Sequence, residues 1–357
     1  MRRRRSSAAL PAAGGEASRL PGCGRDARRT AGKMPALQWK LALLAALFLN
    51  LGACSSSKPS AEASAASPAP AAATSPAPQA IAAAAPALKV DADRALQYTR
   101  EVVALGPRPL GSAAHSKLEA YLRSHLKNDS LEEDTFVAQT PAGPFGMRNF
   151  IAKFPGTKDG IIVIAGHYDT LFSDPKFVGA NDGGSSTGLP LALADALRGK
   201  KREGYSVWIV WLDGEEAVRQ WSSTDSVYGS RHLAEKWTKD GTLKKVKAFL
   251  LVDMVGDADL NIDRDQASTA WLEDLVYDAA SRVGYQSHFY ARTTSIEDDH
   301  LPFARAGVPV ADLIDFDYGY GNVFWHTPQD TMDKLSARSL GIVGDVVLQA
   351  VALLDAR

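Results

Sequence analysis

Three apolar runs in this sequence end directly in side chains that bind metals or carry protons. Ile161 to Gly166 leads into His167-Tyr168-Asp169, Val207 to Leu212 into Asp213-Gly214-Glu215-Glu216, and Ala248 to Val252 into Asp253. Two more segments extend the set: Gly179-Ala180-Asn181-Asp182-Gly183-Gly184, just ahead of a helical pattern, and Trp325-His326-Thr327 after the last long loop. The only cysteines are Cys23 and Cys54, both far toward the N-terminus, so a metal held by these segments has imidazole and carboxylate ligands. Such a donor set with an open position for substrate suits zinc best. The adjacent pair Glu215-Glu216 is chemically apt, because one carboxylate can ligate while its neighbour accepts and returns protons. Taken singly, each motif has a structural reading: a turn residue for Asp182, a solvated pair for Glu215-Glu216. Their shared position at strand ends makes one common site the stronger reading.

The elements that must bring these residues together are legible as alternating strand and helix patterns. The clearest strands are Ile161–Ala165, Val207–Leu212, Ala248–Val252 and Val308–Ile314; the helix candidates between and after them are Gly188–Leu197, Ser230–Trp237, Ala270–Val283, Leu301–Ala306 and Ala337–Leu354. Doubly apolar strands separated by helices indicate a mixed, mostly parallel central sheet covered on both faces, an α/β fold of three-layer α/β/α sandwich type. Ligands in such sheets bind in the crevice at the carboxyl ends of the strands, where the chemistry-bearing residues stand. Ahead of this block, helices are expected over Ala92–Leu105 and Ala113–Leu126, with strands near Glu133–Gln139 and Arg148–Phe154 entering the sheet antiparallel.

Composition divides the chain of 357 residues into three parts. Residues 1–33 carry a net charge of +7, residues 54–357 a net charge of −9, and the whole chain −1, which excludes a nucleic-acid footprint spread over the protein. Met34, taken as the true start, is followed by Lys40, the apolar run Leu41 to Leu51 and Leu51-Gly52-Ala53-Cys54. This pattern is similar to a bacterial lipoprotein signal, and the run is too short for a membrane span. Residues 1–53 are therefore expected to be a basic head and signal segment, with a lipid on Cys54 anchoring an exported, membrane-held protein, periplasmic or on the cell surface. Residues 54–89, almost wholly Ala, Pro and Ser, read as a disordered tether. Residues 90–357 show no second such break and no internal repeat, which indicates one catalytic domain, expected to be monomeric.

From about Ala92 to Ala356 the chain resembles the glutaminyl cyclases and their relatives, the two-zinc aminopeptidases. Both branches share the pattern His167-x-Asp169, Asp182, Asp213-Gly214-Glu215-Glu216, Asp253, Asp299-His300 and His326-Thr327. The cyclase branch is distinguished by Asp213-Gly214-Glu215-Glu216-Ala217 followed by Trp221-Ser222, Asp225-Ser226 and Tyr228-Gly229-Ser230-Arg231-His232-Leu233, and by Asp298-Asp299-His300-Leu301-Pro302-Phe303, Gly307-Val308-Pro309-Val310 and Trp325. The resemblance implies a zinc-exopeptidase-like fold and a cyclotransferase that converts the N-terminal Gln of peptides to pyroglutamate with release of ammonia. It implies one zinc on Asp182, Glu216 and His326, catalytic roles for Glu215, Asp253 and Asp298, and a substrate pocket formed by Trp221, Trp325 and Ile296.

The alternative is an aminopeptidase that hydrolyses N-terminal residues. In it His167 and Asp253 complete a second zinc site, with Asp182 bridging and Glu215 activating water. Asp253-Met254-Val255-Gly256-Asp257 is similar to the aminopeptidase pattern, and Asp312 stands where animal cyclases carry a histidine. A third possibility, a non-catalytic binding protein on the same fold, is disfavoured because every ligand position is filled. Of the remaining polar residues, His115 and His125 are expected to be solvated, His232 and His288 structural, and His300 to order the site loop. Asp169 is expected to fix the His167 tautomer and Asp299 to cap the following helix.

Overall fold

The computed structural model describes residues 88–357; the signal segment, Cys54 and nearly all of the tether lie outside the described residues. Helices α1 (Ala92–Val103) and α2 (Ala113–Leu126) each start at a side-chain cap. Asp91 accepts the N–H of Arg94 in the first and Ser112 that of His115 in the second. A hairpin of β1 (Ser130–Thr140) and β2 (Gly143–Phe154) follows, then β3 (Gly156–His167), α3 (Ser186–Leu197), β4 (Arg202–Leu212), α4 (Tyr228–Asp240) and β5 (Val246–Asp253). The chain ends with β6 (Ile262–Asp265), α5 (Ala270–Val283), β7 (Phe289–Thr294), α6 (His300–Arg305), β8 (Val310–Ile314) and α7 (Ala337–Asp355).

Six strands form one sheet in the order β1-β2-β4-β3-β5-β8, in which β3, β4, β5 and β8 run parallel and the β1-β2 hairpin adds antiparallel against β4. The expected mixed, mostly parallel sheet between two helical layers is the fold found. Side chains alternate across it with the strand period of two. Ile162, Ile164, Val207, Ile209, Trp211, Leu250 and Leu313 face α1, α3, α5 and α7, while Ile161, Val163, Val210, Phe249 and Val310 face α4 and α6. The buried stretches of β3, β4 and β5 are therefore apolar on both faces, which is why they read as unbroken hydrophobic runs, while β8 carries the buried Asp312 within its run. The C-terminal helix α7 is long and apolar because most of it is buried against this core.

The sequence reading missed β6 and β7, a separate parallel pair holding mixed polar residues such as Asp263, Arg264, Arg292 and Thr293. Neither strand has an apolar period that could have announced it. The strand expected at Val308 starts at Val310; Phe249 donates its N–H to the Pro309 carbonyl just before it, where proline has no N–H of its own to offer.

One close approach fixes the active edge of the sheet. Gly166 lies between β5 and the start of α3, and a Cβ there would stand 2.3 Å from the Ser186 carbonyl oxygen and 3.0 Å from that of Val252. Both are backbone atoms, so neither can swing aside. Gly166→Ala should cost about 1–3 kcal/mol as an overpacking change. Urea denaturation checks this, and a variant as stable as the parent contradicts it.

Candidate active site

The carboxyl ends of β3, β4, β5 and β8 deliver the site. His167 closes β3, Asp213 follows β4 directly, and Asp253 closes β5. Asp182 comes from a tight turn before α3 that runs through Gly183 at φ +80°, and His326 comes from the long loop after β8. His326 itself has φ +53°, and Met254, next to Asp253, has φ +50°. Left-handed backbone at non-glycine residues persists only where the surroundings enforce it.

Asp182 is the hub. Its Oδ2 lies 3.4 Å from His326 Nε2, which lies 3.3 Å from Glu216 Oε2. Its Oδ1 lies 3.2 Å from His167 Nε2, which lies 3.1 Å from Asp253 Oδ1. Two potential ligand groups result, Asp182-Glu216-His326 and His167-Asp182-Asp253, each with its donor atoms within 4.8 Å of one another. In the first, Glu216 Oε1 is buried without any hydrogen-bond partner, so a metal there would satisfy an otherwise orphaned oxygen. In the second, Asp253 Oδ1 already accepts the Ser186 hydroxyl at 2.5 Å. A third group, His115-Glu119-Asp213, is satisfied by protein: Arg148 donates to both carboxylates, and His115 bonds Asp213 at 2.7 Å.

Five carboxyl groups, of Asp182, Glu215, Glu216, Asp253 and Asp298, thus share a buried site with two imidazoles. Burial pushes the Glu215 carboxyl well above its usual range, aided by the charges of Asp298 and Glu216. Burial does the same to Asp298, beside Asp312, and lifts Glu216, beside Asp182, to about 7. Burial works against charge on His326, yet hydrogen bonds to Asp182 and Glu216 raise it to about 10; His167 rises in the same way beside Asp253. Asp182 is held below its usual value despite burial, because both imidazoles bond it. Without a metal, protons on these groups offset the excess of negative charge. A divalent cation can take their place.

In front of these groups lies a cavity of about 280 Å³, lined by Asp182, Glu215, Asp253, Asp298, His326 and the apolar Trp221, Ile296, Phe316 and Trp325. Glu215 Oε2 lies 3.9 Å from His167 Nδ1. Trp325 stacks on His326 at a centroid distance of 4.0 Å and meets Phe316 edge-on. The Trp221 indole N–H donates to Glu297. All the residues singled out from sequence as ligands, acids or pocket walls therefore meet at one place. Residues the sequence reading passed over also belong there: Phe316, Met254 and Glu297 line the cavity, and Asp330 and Arg108 support it from behind.

Several supporting residues act otherwise than expected. Asp169 stands 3.7 Å from His167 Nδ1, and its carboxylate instead accepts the N–H groups of Glu215 at 3.0 Å and Glu216 at 3.2 Å, fixing the turn that carries them. His115 is buried, because it continues the Leu118, Leu122 and Leu126 stripe of α2 at helical spacing. His125 is part-buried against Tyr98 and Tyr121. Asp299 makes no side-chain cap on α6; its Oδ1 accepts the Ser230 hydroxyl at 2.5 Å. Asp312 is fully buried behind the cavity, 3.4 Å from His300 Nδ1.

Comparison with known proteins gives a consistent picture. The sequence profile of peptidase family M28 matches residues 149–351. The chain is 30% identical over 252 residues to the glutaminyl-peptide cyclotransferase of Drosophila melanogaster, covering 63% of this chain and 70% of that protein. It is 36% identical over 245 residues to a glutaminyl-peptide cyclotransferase-like protein of Bos taurus, covering 61% and 63%. The crystal structure of an Acidobacteriales bacterium glutaminyl cyclase superimposes with a TM-score of 0.73 at 47% identity, over 80% of this chain and all of the other.

Ligation needs His326 in its neutral form, although it holds its extra proton up to about pH 10, and Glu216 ionised, which it becomes only above about pH 7, so metal binding must compete with protons. Zinc affinity should fall by about tenfold from pH 8 to pH 7, the slope of one proton released from His326, and more steeply from pH 7 to pH 6, where Glu216 also holds a proton. Isothermal titration calorimetry across that range checks this, and a pH-independent affinity contradicts it.

Proposed function

The chain belongs to peptidase family M28 and, within it, to the glutaminyl cyclases, and from that premise we propose that it is a zinc-dependent glutaminyl-peptide cyclotransferase making pyroglutamate from the N-terminal Gln of peptides. The observation that carries this reading is the convergence of Asp182, Glu216 and His326, with Glu215 alongside, at the floor of a cavity walled by Trp221 and Trp325. Asp182, Glu216 and His326 would hold the zinc, which when bound supplies Lewis-acid polarisation of the γ-carboxamide carbonyl.

The protein's own groups do the rest. Glu215 takes a proton as the substrate α-amine closes on Cδ, the carbonyl carbon of the γ-carboxamide, and returns it to the amide nitrogen, which leaves as ammonia; a C–N bond forms, a C–N bond breaks, and Glu215 ends as it began. Its raised proton affinity suits a general base better than an ordinary carboxylate would. Asp253 and Asp298, which also line the cavity, orient the amine and the departing group. Trp221, Trp325 and Ile296 offer flat apolar surface to the short Gln side chain and exclude water that would otherwise hydrolyse it.

A second reading has one supporting observation: His167 and Asp253 share Asp182 with the first group, as a two-zinc aminopeptidase requires. The signal pattern ending in Cys54 supports a further proposal, that the enzyme is exported and held at a membrane by a lipid.

Incubation with Gln-Ala should release ammonia, and Glu215→Gln should reduce turnover by about 100- to 10,000-fold while leaving zinc binding and thermal stability intact. Hydrolysis of Leu-p-nitroanilide without ammonia from Gln-Ala would transfer the assignment to the aminopeptidase.

A further inference from the structure

Asp330 is four residues beyond His326 and 148 residues beyond Asp182, yet it holds the backbone of the Asp182 turn. It is fully buried, and it receives three consecutive N–H groups from that turn. Its backbone carbonyl accepts from Ala180 at 3.4 Å, its Oδ1 from Asn181 at 2.8 Å, and its Oδ2 from Asp182 at 3.1 Å. The Tyr318 hydroxyl donates to the same Oδ1 at 2.7 Å, tying in the start of the loop that leads to His326. On its own side, Asp330 donates its N–H to the Thr327 carbonyl, closing the turn that follows His326.

We propose that Asp330 is a positioning residue that sets the distance between Asp182 and His326 and so the affinity of the metal centre, an inference that rests on the zinc reading above. The backbone geometry makes such a clamp necessary. His326 and Gly179 are both left-handed, at φ +53° and +52°, one on each of the two loops, and nothing local favours that conformation at a histidine. The network reaches further through Asn181, whose side chain donates to the Met254 carbonyl at 3.0 Å and accepts the Gly256 N–H at 2.7 Å. Arg108 buttresses the same turn from outside, its guanidinium donating to the carbonyls of Val178 and Gly179. Asp330 bonds both ligand-bearing loops at once. It ligates nothing and faces no substrate, so its effect runs through Asp182 and His326.

The substitution Asp330→Asn keeps the side-chain shape but replaces one acceptor oxygen by an NH₂ group that must face the N–H of Asn181 or Asp182. Zinc affinity, measured by chelator competition on the full chain, should fall about 10- to 100-fold, the usual effect of losing a partner behind a metal ligand. Two further readouts separate positioning from mere support of the fold. The rise in melting temperature on adding zinc should shrink in the variant, and excess zinc should restore kcat on Gln-Ala. Tyr318→Phe removes a single donor to Asp330 and should weaken zinc several-fold in a fully folded protein.

A folded Asp330→Asn protein that binds zinc within twofold of the parent overturns the inference. If that variant does not fold, unchanged zinc affinity in Tyr318→Phe overturns it instead. A parent protein that binds no zinc defeats the functional reading itself, which is a distinct outcome.

Discussion

The constraint on which this molecule turns is charge. Acidic groups that would repel one another are crowded into a buried site, where an uncompensated carboxylate is costly. Asp182 lies at the centre, its two oxygens aimed at two different imidazoles. The protein offsets part of the excess with His167 and His326 and part with protons on Glu215, Glu216 and Asp298. What remains is a site whose chemistry favours a divalent cation, with strong proton acceptors immediately beside it.

Holding that arrangement falls to carboxylates that never touch the cavity. Asp169 receives the N–H groups of Glu215 and Glu216, and Asp330 those of Asn181 and Asp182. The same device appears twice: a buried acid satisfied by consecutive backbone amides, which are neutral donors and leave the charge of the ligands undiminished. Asp213 anchors the β4 end differently, through the Arg148 N–H and His115, with its own N–H given to Asn149. The sheet supplies position to within a residue, and these clamps supply the last ångström.

Much of this was legible in the sequence, for identifiable reasons. The buried stretches of β3, β4 and β5 are apolar on both faces, so these strands could be placed from composition alone and their last residues read as site residues. Trp221 stood out as a large aromatic in a polar loop. The supporting acids were less legible: Asp169 and Asp330 work through backbone N–H groups, which leave no mark on the partner's residue type. The burial of His115 is masked in the sequence by its charged neighbours Lys117, Glu119 and Arg123, although its spacing from Leu118 and Leu122 carries the signal. The β6–β7 pair has too little apolar pattern to be seen, and Phe316 and Glu297 reach the cavity only through loop geometry.

The most direct measurement of the central claim is anomalous diffraction at the zinc edge from crystals of the zinc-loaded protein, since it counts the metals and places them at once. The account predicts one peak per chain, within about 2.0–2.2 Å of a His326 nitrogen and of carboxylate oxygens of Asp182 and Glu216. A peak away from those three side chains, or a second peak of equal height between His167 and Asp253, would contradict it.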